Sequence, residues 1–214
     1  MILSRGRRYI FIHIPKTGGT AMALALEARA MKDDLMLGDT PKAQNRRKRL
    51  AGVQSRGRLW KHSTLGDLDG LLSRDEMQAL FVFTLVRNPW DRAVSYYHWL
   101  RGQGFEHPAV HLARELSFAA FLAHPQTRAA FRANPAQSYV SAPDGAEMCD
   151  LYIRLEHVET DAEPLWDHLG FRLALPLANA SDRGRNYRDY YDSRSQALIA
   201  ADCAVDIARF GYSY

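Results

Sequence analysis

Two short runs limit what this chain can fold into. Tyr9-Ile-Phe-Ile-His-Ile14 and Leu80-Phe-Val-Phe-Thr-Leu-Val86 are β-rich and apolar at consecutive positions, without the polar alternation of a half-exposed sheet. Strands of that kind are buried on both faces, so helices must cover both sides of the sheet. Each run passes directly into a helix signal. After the first, Pro15 to Gly19 break the strand, Thr20 is a candidate N-cap, and Ala21–Met31 is rich in strong helix formers. After the second, Asn88 can cap a helix whose first residue is Pro89 and which runs through Tyr96 and Leu100 to Gly102. Weaker strands are expected at 59–62 and 151–155, and helices near 115–123, 126–133, 160–169 and 194–209. Strands alternating with helices predict an α/β fold around a central, mainly parallel sheet flanked by helices. Ligands of such sheets collect at the carboxyl ends of the strands, which places the chemistry just after residues 14, 62 and 87.

Composition narrows the class. At 47% apolar and 24% charged residues the chain is not disordered, and its 214 residues with no internal repeat fit a single domain over 1–214. The longest nearly apolar stretch, Leu80 to Val86, is far short of the roughly 20 residues that span a bilayer. The N-terminal Met1-Ile-Leu-Ser-Arg-Gly-Arg-Arg8 has charges without a following apolar signal region. Cys149 and Cys203 stand 54 positions apart and form no CxxC pair, so a disulfide framework or cysteine zinc site is not expected. These features predict a cytoplasmic protein with no membrane span.

Charge is uneven. Residues 42–61 hold eight of the 28 Lys and Arg (Lys42, Arg46, Arg47, Lys48, Arg49, Arg56, Arg58, Lys61) and no acid. The remainder carries 20 basic and 24 acidic residues, a net charge of −4. The basicity is therefore local, and the segment 32–58 reads either as a solvated basic loop or as an acceptor-side surface that meets an anion. Trp60 is the one aromatic of residues 42–61, so stacking on nucleic-acid bases has little support and no nucleic acid is expected as a partner.

Two segments carry the chemistry. In His13-Ile-Pro-Lys-Thr-Gly-Gly-Thr20, paired glycines let backbone N–H groups turn inward and the helix N-terminus adds partial positive charge. Lys16 supplies a full charge and the Thr17 and Thr20 hydroxyls are further donors, which together make an anion cradle. A Walker A loop is excluded, because the lysine precedes the glycines and no GxxxxGK[ST] occurs. The strand at 80–86 ends in Arg87, where a P-loop kinase would place a magnesium aspartate. In Val86-Arg-Asn-Pro-Trp-Asp-Arg-Ala-Val-Ser-Tyr-Tyr97, the Arg87 guanidinium can grip a phosphate at two points, and Ser95, two turns into the helix, can add a hydroxyl. Asp91 suits the first turn of the helix, and Arg92 is a candidate to pair with it.

Together these segments resemble the sulfotransferases that use 3′-phosphoadenosine 5′-phosphosulfate, and most closely the branch that modifies heparan and chondroitin chains. Asn134-Pro-Ala-Gln-Ser-Tyr139, Ile153-Arg-Leu-Glu156 and Asp206-Ile-Ala-Arg-Phe-Gly-Tyr212 extend the resemblance over most of the chain. The chain lacks the anchor, disulfides and long acceptor-binding insertions of the Golgi members and looks like a compact bacterial-type relative. The resemblance implies a P-loop-like three-layer fold and a sulfuryl transfer from that donor to a hydroxyl acceptor, an anionic carbohydrate among the candidates. The product would be adenosine 3′,5′-bisphosphate. It assigns Lys16, Thr17, Gly18, Gly19 and Thr20 to the 5′-phosphosulfate, and Arg87 and Ser95 to the 3′-phosphate. Arg183 and Arg185, in Ser181-Asp-Arg-Gly-Arg-Asn-Tyr187, are candidates for a loop that closes on the same phosphate.

The transferred group bears less negative charge than a phosphoryl group, so lysine and backbone donors can meet the electrostatic demand and no metal is expected. Lys16 would stabilise charge on the bridging oxygen. The base must have a pKa near neutrality, and His62, in Leu59-Trp-Lys-His-Ser-Thr64, is the candidate, with an expected pKa near 6–7. His13 precedes the cradle and is expected to point into the sheet. His98 lies near Ser95, and His107, His111, His124, His157 and His168 read as surface or cap residues. A P-loop kinase and a non-catalytic nucleotide- or RNA-binding module are the alternatives.

Overall fold

The computed structural model describes residues 1–176, 184 and 186–214, in two compact units. Arg183 and Arg185 lie outside the described residues.

The first unit comprises 1–86 with 136–176. Its strands are β1 (Ile2–Ser4), β2 (Tyr9–Ile12), β3 (Leu35–Met36), β4 (Phe81–Val86) and β5 (Leu151–Arg154), in the order β3-β1-β2-β4-β5. Its helices are α1 (Gly19–Ala28), α2 (Pro41–Asn45), α3 (Arg74–Gln78), α8 (Ala136–Tyr139), α9 (Val158–Asp161) and α10 (Glu163–Leu169). β2, β4 and β5 run parallel, with Ile10 opposite Val82 and Leu85 opposite Ile153. The two edge pairings, β1 with β2 and β1 with β3, are antiparallel.

The pleat explains the continuous apolar runs. Tyr9, Phe11, Phe83, Leu85 and Ile153 share one face and form a core with Met22 and Leu26 of α1 and Leu165 and Trp166 of α10. Ile10, Ile12, Val82 and Val86, on the opposite face, are equally buried. The sheet is thus covered on both sides, as its sequence requires. Thr84, the one polar residue in β4, is buried and donates its hydroxyl to Ile12 O at 2.8 Å across the ladder.

The second unit comprises 87–135, 184 and 186–214. It contains α4 (Pro89–Arg101), α5 (Pro108–Glu115), α6 (Phe118–Ala123), α7 (Pro125–Ala133), α11 (Ser193–Asp202) and α12 (Ala204–Phe210). Asn88 caps α4 by accepting from Trp90 N, with Pro89 in the first turn and Gly102 at the end, as the sequence predicts. Trp90, Val94 and Tyr97 of α4 pack with Phe118, Phe121 and Ile199. His107 and His124 cap α5 and α7.

Some expectations change. Residues 59–62 form a turn, not a strand, because Ser63 ties it: Trp60 N donates to Ser63 Oγ at 2.8 Å, and that hydroxyl donates to Arg58 O at 2.8 Å. The expected helix near 115–123 is α6, which starts only at Phe118, and the expected helices at 160–169 and 194–209 are each broken into two. Helix α1 begins earlier than Thr20, with Gly18 as its N-cap. No helix among the described residues is long and apolar enough to cross a membrane.

Candidate functional site

The turn between β2 and α1 is built from two left-handed residues. Lys16 has φ +67°, which is uncommon for a residue with a Cβ, and Gly18 has φ +82°. Gly18 is required twice over, since a Cβ there would also meet Leu155 Cδ1 at 2.6 Å. Gly19 is required by contact: a Cβ would lie 2.1 Å from His13 Cδ2, so the His13 ring packs directly on the first residue of α1. No side chain caps α1, and its first intrahelical bond is Ala21 N to Gly18 O at 3.0 Å, so the N–H groups of Gly19 and Thr20 have no partner from their own helix or from a side-chain cap. Such a turn is suited to an anion.

Thr17 is buried and its hydroxyl donates to Ile14 O at 2.9 Å. That donor is committed to the turn, which leaves the backbone N–H and a hydroxyl lone pair as what Thr17 can offer. Lys16 and Thr20 are half-buried.

The turn at 60–63 brings His62 to the same place. His62 Nδ1 lies 2.7 Å from His13 O. A carbonyl only accepts, so Nδ1 carries the proton and Nε2 of the neutral ring carries the lone pair. The two imidazoles meet edge-on with centroids 4.7 Å apart, and the Trp60 ring meets His62 at 5.1 Å. Lys61 pairs with Asp39, and the amine of Met1 donates to Lys61 O at 2.8 Å. His62 is therefore positioned by main-chain bonds on either side of it.

Electrostatics follow from this packing. Burial holds His13 well below the ordinary imidazole value, reinforced by the Met1 amine, His62, Lys61 and Lys16. Burial also lowers His62, to about 4. The bond to His13 O opposes that shift, while Lys61 and the Met1 amine add to it. The expected value near 6–7 is thus too high, because the sequence does not reveal that the ring is desolvated among cations. His13 is buried, but it follows β2 rather than lying within it, and its ring packs between Phe11, His62 and the start of α1.

The Arg87 and Ser95 candidates belong to the second unit. Arg87 Nε and Nη2 both donate to Asp91 Oδ2, at 2.9 and 2.6 Å. Asp91 therefore meets Arg87, four residues before it, rather than only capping the dipole. Ser95 is buried on α4. His98 packs edge-on against the rings of Tyr97 and Tyr190. Among the described residues no group of three or more His, Cys, Asp or Glu could hold a metal.

Five of the eight cations of the basic segment have a structural task, Lys61 with Asp39 among them. Lys42 donates to Glu27 O, Arg46 to Met31 O and Arg49 to Lys32 O, so three cations sit on carbonyls at and beyond the C-terminal end of α1. Of the three, Lys42 on Glu27 O sits in the last turn of α1, where the helix dipole favours positive charge. Arg56 pairs with Asp69. The segment is therefore more than a solvated loop: it includes α2 and a 3-10 turn at Arg47–Leu50.

Sequence reasoning found the turn and His62 but missed three supports: the His13 carbonyl, the Asp39–Lys61 pair and the Arg87–Asp91 pair. The last had a signal in its i, i+4 spacing. No family model matches this sequence, and none of the curated proteins does. Among solved structures, the chain is similar to mouse sulfotransferase SULT7A1 complexed with PAP, at 16% identity and a TM-score of 0.39, over 96% of this chain and 67% of that one.

Proposed function

We propose that the chain is a sulfotransferase that takes 3′-phosphoadenosine 5′-phosphosulfate as donor and a hydroxyl compound, such as a carbohydrate, as acceptor. One observation carries this reading: an uncapped, doubly left-handed turn lies against a histidine whose Nδ1–H is fixed on His13 O, leaving Nε2 basic. The residues fit an anionic donor group, since Lys16 and the backbone N–H groups at the start of α1 supply charge and donors.

The donor supplies an activated sulfuryl group. In the transfer the bond from sulfur to the bridging phosphate oxygen breaks, a bond from sulfur to the acceptor oxygen forms, and the acceptor proton goes to His62 Nε2. Lys16 would stabilise the negative charge that develops on the bridging oxygen. His13 would hold the tautomer of His62, through its carbonyl, and the position of α1, through its ring. Arg87 and Ser95 are proposed for the 3′-phosphate, with Asp91 holding the guanidinium in orientation.

The test is a labelled-sulfuryl transfer screen of the full chain over panels of sugars, phenols and lipids. Transfer to at least one hydroxyl acceptor, lost in Lys16→Ala, is expected. No transfer to any panel member, together with phosphoryl transfer from ATP and magnesium, would overturn the reading in favour of a kinase.

A further inference from the structure

An open cleft of about 700 Å³ lies along the basic segment, lined by Arg47, Leu50, Val53, Gln54, Ser55 and Leu59 among others. It is within the size range of small-molecule sites. Its lining is mixed and more polar than apolar: Leu50, Val53 and Leu59 stand among Arg47, Gln54 and Ser55. The neighbouring cations divide into two sets. Lys42, Arg46, Arg49 and Arg56 are engaged with carbonyls or with Asp69. Arg47, Lys48 and Arg58 are exposed, and no carboxylate among the described residues forms an ion pair with them. The carboxylates close by are committed elsewhere, since Asp67 accepts from Thr64 N and Oγ1, and Asp69 from Arg56.

The cleft is connected to the candidate base through consecutive side chains. Leu59 lines it, the Arg58 guanidinium lies over the Trp60 ring at 5.2 Å, and Trp60 in turn meets His62 at 5.1 Å. Trp60 is 43% exposed, unusual for an indole and unexplained by packing alone. Arg58, Leu59 and Trp60 thus place a cation, a lining residue of the cleft and an exposed aromatic at consecutive positions, the last of them on the His62 ring.

We infer that this cleft is the acceptor site and that it takes an amphipathic anion: a hydroxyl compound with an apolar body seated on Leu50, Val53 and Leu59 and an acidic group on Arg47. The inference rests on the sulfotransferase reading for the word acceptor, but the ligand class follows from the cleft itself. Neither a neutral phenol nor a purely polar sugar anion would use both halves of this lining.

The experiment is direct binding to the full chain by titration calorimetry, with three probes. 6-Hydroxy-2-naphthoate has both features, 2-naphthol lacks the anion, and a heparin-derived disaccharide lacks the apolar body. Adenosine 3′,5′-bisphosphate is titrated in parallel as a separate readout of the donor site. The hydroxynaphthoate should bind tightest. Arg47→Gln should weaken it by about tenfold, as expected for a lost charge-assisted contact, and leave 2-naphthol and the bisphosphate unchanged. Leu50→Ser should weaken the hydroxynaphthoate and 2-naphthol together. Equal affinity for hydroxynaphthoate in Arg47→Gln and wild type would overturn the inference, as would tighter binding of the disaccharide. Failure of the bisphosphate to bind, with the hydroxynaphthoate result intact, would instead overturn the sulfotransferase reading and leave the cleft as a binding site.

Discussion

At the scale of single residues, His62 gives the sharpest expectations. Its Nε2 is the only ring atom able to take a proton once Nδ1 is bound to His13 O. His62→Ala should leave adenosine 3′,5′-bisphosphate affinity unchanged and lower single-turnover transfer by roughly 10²–10⁴-fold. The acid limb of kcat/KM, which reports the free enzyme, should fall near pH 4, where burial holds this ring, and should vanish in the variant. In kcat the limb should move upward, because a bound anion favours the imidazolium. Stability runs in the same direction. Between about pH 4 and 6.5 the unfolded chain binds the proton and the native chain does not, so stability rises with pH across this window and is lost as pH falls through it. Arg87 has a different role. Arg87→Ala should weaken adenosine 3′,5′-bisphosphate much more than adenosine 5′-phosphate in calorimetry, and equal losses for both would remove it from the 3′-phosphate. The identity of these residues was legible because Lys16, His62 and Arg87 are charged or titratable residues at strand ends and turns. Their protonation and pairing were not. They depend on a main-chain carbonyl 49 positions away and on how far the ring is withdrawn from water.

Elements show how the frame of the site is maintained. Lys42 sits on Glu27 O in the last turn of α1, while Arg46 and Arg49 tie the following segment together through Met31 O and Lys32 O, contacts that Arg47 and Lys48 do not share. Arg46→Gln with Arg49→Gln should lower the urea midpoint modestly, by the equivalent of about 0.5 kcal/mol per lost side-chain hydrogen bond, the low end for exposed contacts. Arg47→Gln with Lys48→Gln should leave that midpoint unchanged, and the same loss in both pairs would refute the division. In the second unit, the buried Asp202 carboxylate joins α11 to α7 by accepting from Arg128 and Arg132. Burial raises its pKa, but the hydrogen bonds from the two arginines outweigh burial and hold it below the ordinary carboxylate range. The native state therefore resists protonation, so this contribution is present above about pH 4 and lost as pH falls below it. Asp202→Asn should lower the urea midpoint at pH 6 and flatten its decline toward pH 3, and an unaltered acid slope would contradict that account. β2, β4 and α4 were readable from sequence because burial on both faces, Asn88 and Pro89 are local signals. β1 and β3 were not, since strands of three and two residues gain their identity only by pairing. The turn at 60–63 escaped for a related reason: Trp60 and His62 look like alternating strand residues until the Ser63 hydroxyl is seen to close the turn.

For the whole molecule, the left-handed turn and His62 lie after β2, at the carboxyl end of a parallel strand, where ligands of α/β sheets collect, while the pairings of β1 with β2 and β3 are antiparallel. The central claim is that the turn at Lys16–Thr20 receives the phosphate end of a 3′-phosphorylated adenosine nucleotide without help from a metal. Titration calorimetry of the full chain in the presence of a chelator tests it most directly. Adenosine 3′,5′-bisphosphate should bind, more tightly than adenosine 5′-phosphate, and Lys16→Ala should weaken it by about tenfold or more, the magnitude of a lost charge-assisted contact. ATP should gain nothing from added magnesium. Absence of bisphosphate binding, or binding of ATP that appears only with magnesium, would contradict the account.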